Sequence, residues 1–74
     1  MINQNQTNMI HIRFQGRSVN MALNMFDLFS NSSNQDIERA LANYFNVDVA
    51  LFKEHVIERH ENGNITVRPQ AIFG

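Results

Sequence analysis

Alternating apolar and polar residues predict a β-hairpin near the start of the chain. Two such runs follow each other, and this period is typical of strands with one buried face. The apolar members are Ile10, Ile12 and Phe14 in the first run and Val19, Met21, Leu23 and Met25 in the second. The opposite face of the hairpin would then carry four polar side chains, which are His11, Arg13, Asn20 and Asn24.

Two different turns can join these strands. A turn at Gly16-Arg17 opposes Phe14 to Val19, and glycine suits the first central position of a type II′ turn, which requires a positive φ. A turn at Gln15-Gly16 opposes Phe14 to Arg17 instead. We favour the Gly16-Arg17 turn because it opposes apolar residues along the whole hairpin.

The next periodic segment predicts an amphipathic helix over about Asn34 to Phe45. Ser33 and Asp36 have the spacing of a capping box, with Asp in place of the usual Glu or Gln. Apolar residues then recur every three or four positions, which favours a helix buried along one side. These residues are Ile37, Ala40, Leu41, Tyr44 and Phe45.

The segment from 48 to 64 fits two structures. As a second helix over about 48–61, it would be capped by Asp48 and would end before Gly63. As a hairpin, residues 55–60 would pair with 64–68 through Asn62-Gly63, a strong hairpin signal. We favour a short helical turn near 49–52 followed by the hairpin, although the last run can also pair with the first hairpin. Pro69, which has no amide to donate, would end that strand or place it at an edge.

This order of elements predicts a small single α+β domain of the form ββαββ, with one helix over one face of a sheet. Residues 1–8 are polar and predict a flexible tail, and 9–74 form the domain. The chain has 74 residues, no cysteine and a net charge of −1. Its stability must therefore come from packing or self-association. Because no apolar run is long enough to span a membrane and the start lacks the features of a signal peptide, we expect a cytoplasmic protein.

The outline resembles the β-grasp, or ubiquitin-like, family. The resemblance is one of pattern and contains no specific motif. It rests on the opening hairpin, the crossing helix, and a C-terminal strand followed by a terminal Gly74. Ubiquitin-like and sulfur-carrier members usually end in a Gly-Gly tail that an adenylating enzyme activates. The resemblance therefore implies a carrier activated at Gly74 as an alternative function, with Phe73 at the penultimate position here.

The side chains that carry chemistry predict neither an enzyme nor a cofactor or metal site. His55 and His60 are five residues apart, which is about 140° around a helix and opposite faces of a strand. There is no cysteine nucleophile, and the serines near 30–33 suit helix capping. The three glycines form no phosphate-binding loop.

These exclusions leave binding functions. We expect a protein-interaction module or accessory subunit that binds another protein or a second copy of itself, through a sheet edge or the apolar C-terminal segment. The segment 71–74 either folds back onto the core, which we favour, or projects as a docking element. A less favoured alternative is a single-strand nucleic-acid binder using Arg13, Arg17 and Arg68, although the net charge argues against it. The candidate partner-binding residues are His11, Arg13, Ile72, Phe73 and Gly74.

Overall fold

The computed structural model of this chain describes residues 8–70, and these residues form four strands and one α-helix. Two short 3-10 helices connect them. The strands are β1 (Met9–Phe14), β2 (Arg17–Ala22), β3 (His55–Arg59) and β4 (Ile65–Pro69), and the α-helix is α1 (Asn34–Phe45). The first 3-10 helix is Leu23–Phe26 and the second is Val49–Leu51. The predicted ββαββ order and the α+β class are confirmed.

The strands form a single mixed sheet in the order β2-β1-β4-β3. The two inner strands, β1 and β4, run parallel, and each pairs with its own hairpin partner in the antiparallel sense. The last run therefore pairs both with the first hairpin and with β3. From the sequence, pairing with β3 and pairing with the first hairpin were alternatives, and the structure contains both.

One face of the sheet and the apolar side of α1 enclose the core. Alternate residues of the two inner strands point to this face, since side chains alternate along a strand. Ile10, Ile12, Ile65 and Val67 are at most 1% exposed. The full set of buried apolar residues is Ile10, Ile12, Phe14, Leu23, Leu28, Ile37, Leu41, Ala42, Phe52, Ile65 and Val67.

The register of the first hairpin differs from the favoured one. Phe14 opposes Arg17 and Ile12 opposes Val19, so the turn is at Gln15-Gly16 and the Gly16-Arg17 turn was wrong. Gln15 has a φ of 52° and Gly16 a φ of 79°. Two positive φ angles are what a type I′ turn requires, and its twist matches the twist of the strands it joins.

The second strand is shorter than its alternation predicts. It ends at Ala22, and the first 3-10 helix begins at Leu23. Leu23 still enters the core, and Leu28 follows it there. Asn24 belongs to the 3-10 helix, so its predicted place on the outer face of the hairpin was wrong.

The helix has the predicted bounds, and its caps explain them. Ser33 accepts a hydrogen bond from the amide of Asp36 at 3.1 Å, as the capping box predicts. At the other end Asn46 has a φ of 58°, and the amide of Val47 donates to the Ala42 carbonyl at 2.9 Å. This arrangement is a Schellman-type end.

The predicted apolar stripe of the helix is only partly buried. Ile37 and Leu41 are buried, and so is Ala42, which the stripe did not include. Tyr44 is 51% exposed, so its predicted place in the buried stripe was wrong. It lies at the edge of the helix face, where its ring packs edge-on against Phe26 at 5.3 Å between centroids.

The segment after α1 adopts the favoured structure, a short helical turn followed by a hairpin. Asp48 caps the second 3-10 helix through a hydrogen bond from the amide of Ala50 at 2.9 Å. In the hairpin, the amide of Gly63 donates to the His60 carbonyl at 2.9 Å. Gly63 has a φ of 94°, which is typical of a type I turn followed by a left-handed glycine.

Pro69 is the last residue of β4, as predicted. The pairing of β1 with β4 ends at Ile12 and Val67. The amide of His60 donates to the Asn64 carbonyl, so alternation along β4 turns the nitrogen of Pro69 toward β1. The missing amide of Pro69 therefore ends the parallel ladder.

The predicted polar tail, residues 1–8, lies outside the described residues except for Asn8. The Asn8 carbonyl accepts a hydrogen bond from the amide of Leu23 at 2.9 Å. Its side chain lies against Gly63, where an added Cβ would be 2.6 Å from the Asn8 amide nitrogen. Asn8 therefore connects the first hairpin with the second.

We expect Gln15→Asn to stabilise the fold by about 0.5 kcal/mol, because asparagine adopts a positive φ more readily than glutamine. Urea unfolding would measure this difference. The matched control is Arg17→Asn, which would help only a turn at Gly16-Arg17. A gain for the control and none for Gln15→Asn would contradict the observed register.

Candidate functional site

The outer face of the sheet, away from α1, carries polar side chains from all four strands. One row across the sheet consists of Asn20, His11, Thr66 and Glu58, because these residues are paired in register. The predicted residues His11 and Arg13 both lie on this face, since they alternate with the buried Ile12. Arg13 is exposed and His11 half-buried.

A shallow polar groove of about 570 Å³ lies at one end of this face. His11 Nδ1 donates to Asn20 Oδ1 at 2.7 Å, because an amide oxygen only accepts. On the other side of the groove, His60 Nε2 is hydrogen-bonded to Thr66 Oγ1 at 2.8 Å. Each imidazole ring is therefore held in one orientation by a hydrogen bond to an uncharged side chain.

The described residues 8–70 contain no group of three or more His, Asp or Glu side chains placed to hold a metal ion. His55 is separated from the groove. Its Nδ1 donates to the Leu51 carbonyl at 3.0 Å, and its ring packs against Phe52 with centroids 5.0 Å apart. His55 Nε2 is buried and makes no hydrogen bond within residues 8–70. This histidine is part of the core packing.

The three arginines considered for nucleic acid do not form one patch. Arg17 opposes Phe14, so its side chain lies on the helix side of the sheet, whereas Arg13 lies on the outer face. Arg68 donates to Glu58 Oε2 at 3.0 Å. The hydrogen bond from Arg68 and then its positive charge lower the pKa of Glu58 below its ordinary value of 4.5. Much of the charge of Arg68 is therefore balanced within the sheet.

Arg59, which the sequence did not single out, holds the loop before α1 in place. Its Nη1 donates to the Ser30 carbonyl at 3.0 Å. Its Nη2 donates to the Ser32 carbonyl at 2.6 Å and to Asn34 Oδ1 at 2.7 Å. One side chain of β3 thus bonds two carbonyls of this loop and the first residue of α1. The planar guanidinium has the several fixed donors that such a contact requires.

This loop presents Phe29 to solvent. The amide of Phe29 donates to Ser32 Oγ at 2.8 Å, and the amide of Ser32 donates back to the Phe29 carbonyl at 3.0 Å. Phe29 is 70% exposed. An aromatic side chain is therefore held on a tight, doubly closed turn that is itself bonded to Arg59.

Phe29 belongs to an aromatic patch that also contains Met25, Phe26 and Tyr44. Met25 is 69% exposed, and Phe26 is partly buried against the core. Grooves of about 350 and 290 Å³ flank Phe26. The sequence did not indicate this surface, because alternation predicted Met25 as a strand residue and the helical stripe predicted Tyr44 as a buried one. The Ser-rich cluster after Phe29 is a signal that its turn faces solvent.

The two edges of the sheet differ in how well they are protected. Edge strand β2 has six residues, pairs continuously with β1 without a bulge, and contains neither Pro nor Lys. Edge strand β3 has five residues and includes the charged Glu58 and Arg59. Charged residues, proline and bulges are the usual protection against pairing with another chain. Strand β2 is therefore the less protected edge.

The remaining predicted site residues, Ile72, Phe73 and Gly74, lie outside the described residues. The prediction that the C-terminal segment folds back or docks thus stays a prediction. In the part of the chain that the structure describes, no helix is both long and apolar enough to cross a membrane.

Comparison with protein-family models, curated proteins and solved structures finds no match to this chain.

We expect Arg68→Leu to raise the pKa of Glu58 toward 4.5, because both causes that lower it most come from Arg68. A carboxyl-carbon NMR titration would measure this change, with Arg13→Leu as the control that leaves the pKa of Glu58 unchanged. A lowered pKa stabilises the fold at pH values above the ordinary one, and that stabilisation is lost as the pH falls through the folded value. An unchanged pKa in Arg68→Leu would contradict the assignment.

We expect Arg59→Lys to lower the free energy of unfolding by about 1 kcal/mol, because lysine keeps the charge but cannot reach all three acceptors. Faster amide exchange at Ser32 would accompany the loss. Arg39→Lys is the matched control, since Arg39 is exposed and its contact with Asp36 is 4.0 Å long. Equal losses in the two variants would show that Arg59 does not hold the loop.

Proposed function

We propose that this protein is a non-enzymatic interaction module that binds an extended segment of another protein at the free edge of β2. The observation that carries the proposal is the unprotected state of that edge, which is six residues long and continuous in register. A strand added there would gain main-chain hydrogen bonds, and pockets for its alternate side chains would provide specificity.

The alternation of backbone hydrogen bonds between β1 and β2 identifies the β2 backbone groups that would bind an added strand. The amide of Leu23 donates to the Asn8 carbonyl, so residues 23, 21, 19 and 17 direct their backbone groups toward β1. Ser18, Asn20 and Ala22 then direct theirs away from the sheet. Within residues 8–70, no strand lies on that side of β2. Ser18 and Asn20 therefore provide both donors and acceptors, and Ala22 adds its amide, since its carbonyl accepts the first bond of the 3-10 helix that it caps.

The opposite edge, β3, supports binding less well. The amide of His55 is already bonded to the Phe52 carbonyl at 3.1 Å. Arg59 is bonded to the loop before α1 through its guanidinium, and Glu58 adds a second charge. An incoming strand would meet these charged side chains. The β2 edge carries one charge, Arg17, next to the turn.

The relationship to the β-grasp family also remains a proposal. Its support is the opening hairpin, the single helix and the C-terminal strand, which occur in the order that the resemblance requires. No separate observation among residues 8–70 favours carrier activity. Nucleic-acid binding is not favoured either, because Arg17 lies on the opposite face from Arg13 and Arg68, and Arg68 is bonded to Glu58.

We expect Ser18→Pro to abolish strand addition while leaving the domain folded, because Ser18 directs its amide away from β1. The matched control is Ser18→Ala, which keeps that amide. The test selects binding peptides from a displayed library of random linear sequences and then titrates the best peptide by NMR. We expect shifts centred on Ser18, Asn20 and Ala22, and at least about tenfold weaker binding by Ser18→Pro.

The control should bind within about twofold of the unmodified protein, since it loses no backbone donor. Two results would overturn the proposal. The first is equal binding by both variants, and the second is a set of peptide-induced shifts that lies away from β2.

A further inference from the structure

The aromatic patch on the helix side is a second surface, separate from the β2 edge. Met25, Phe29 and Tyr44 are 69%, 70% and 51% exposed. All three are large apolar side chains, and both flanking grooves are lined by Phe26 and Ala40. Contiguous exposed apolar surface of this kind marks an interaction site more often than single scattered residues do.

We propose that this patch is the interface of a weak symmetric homodimer, with Phe29 of each copy placed in the groove beside Phe26 of the other. A two-fold interface requires a surface that is complementary to itself. The patch contains both a projecting side chain and a groove that can receive one, because the exposed ring of Phe29 borders the 350 Å³ groove.

The rigidity of Phe29 favours binding. Its turn is closed by two hydrogen bonds with Ser32, and Arg59 bonds the Ser32 carbonyl. An aromatic side chain held in this way loses little backbone freedom when it is buried in an interface. Aromatic residues with these properties often carry most of the binding energy.

The charges around the groove are compatible with a second copy. Asp27, Asp36 and Arg39 all line it, so both signs occur on the same surface. Arg39 and Asp36 are 4.0 Å apart and more than half exposed, which leaves Arg39 free to approach an acidic side chain of the other copy. The net charge of −1 adds little repulsion between copies.

The area of the patch determines how tightly we expect the two copies to bind. At these exposures, three large side chains leave on the order of 400 Å² uncovered in each copy. Two copies would bury about 800 Å² from these residues and somewhat more from the rim, which is the range of weak, transient interfaces. We therefore expect a dissociation constant of about 100 μM.

Sedimentation equilibrium on the full chain tests this dimer. Between about 10 μM and 1 mM, the average mass should rise from 8.6 kDa toward twice that value. Dilution shifts in NMR spectra should occur at Met25, Phe26, Phe29 and Tyr44. Phe29→Ser and Met25→Ser should each weaken the dimer at least about tenfold.

The matched control is Leu51→Ser, which removes an apolar side chain that is 46% exposed and lies outside the patch. It should dimerise like the unmodified protein, as should Ser18→Pro. A mass of 8.6 kDa at the highest concentration would overturn the proposal. So would equal dimerisation by Phe29→Ser, or dilution shifts centred on the β2 edge.

Discussion

The parallel pairing of β1 with β4 joins the first and last described strands of the chain, and the rest of the structure is arranged around it. The pairing places Ile10, Ile12, Ile65 and Val67 at the centre of the sheet, all at most 1% exposed. Parallel strands need a crossover between them, and here the crossover contains α1. The helix therefore lies over the inner pair of strands and completes the core.

The same pairing determines which surfaces are free. Because β1 and β4 take the central positions, each hairpin contributes one edge, and β2 becomes the less protected of the two. The outer face is left to polar residues such as His11 and Thr66, which lie opposite each other. On the helix side, the connection from β2 to α1 must pass along the rim of the core. Arg59 holds that connection, and Phe29 projects from it.

Sequence patterns predicted those elements whose formation depends on residues close together in the chain. The capping spacing of Ser33 and Asp36 predicted the start of α1. Alternation predicted the first hairpin, and the Asn62-Gly63 turn predicted the second. The turn of the first hairpin was mispredicted because apolar pairing was weighted above turn geometry, which Gln15 satisfies at a positive φ. The position of Tyr44 at the margin of the helix face could not be judged before the path of the preceding loop was known.

The surfaces proposed for binding were predictable only in part. Alternation placed His11 and Arg13 on the outer face, and a sheet edge was expected as a binding surface. The contact between Arg59 and residues 30–34 joins segments with no pairing signal between them. The Ser-rich cluster after Phe29 indicates that its turn faces solvent, but no local pattern places Met25, Phe26 and Tyr44 beside it. Long-range contacts of this kind are set by the packing of the whole chain.

We expect the two hairpins to form one cooperative unit through the pairing of β1 with β4. Native-state amide exchange, followed by NMR over a series of low denaturant concentrations, tests it most directly. Amides of both inner strands should exchange only through global unfolding and share one opening free energy. A clearly lower opening free energy for the amides of β3 and β4 than for those of β1 and β2 would contradict it, because the second hairpin would then open by itself.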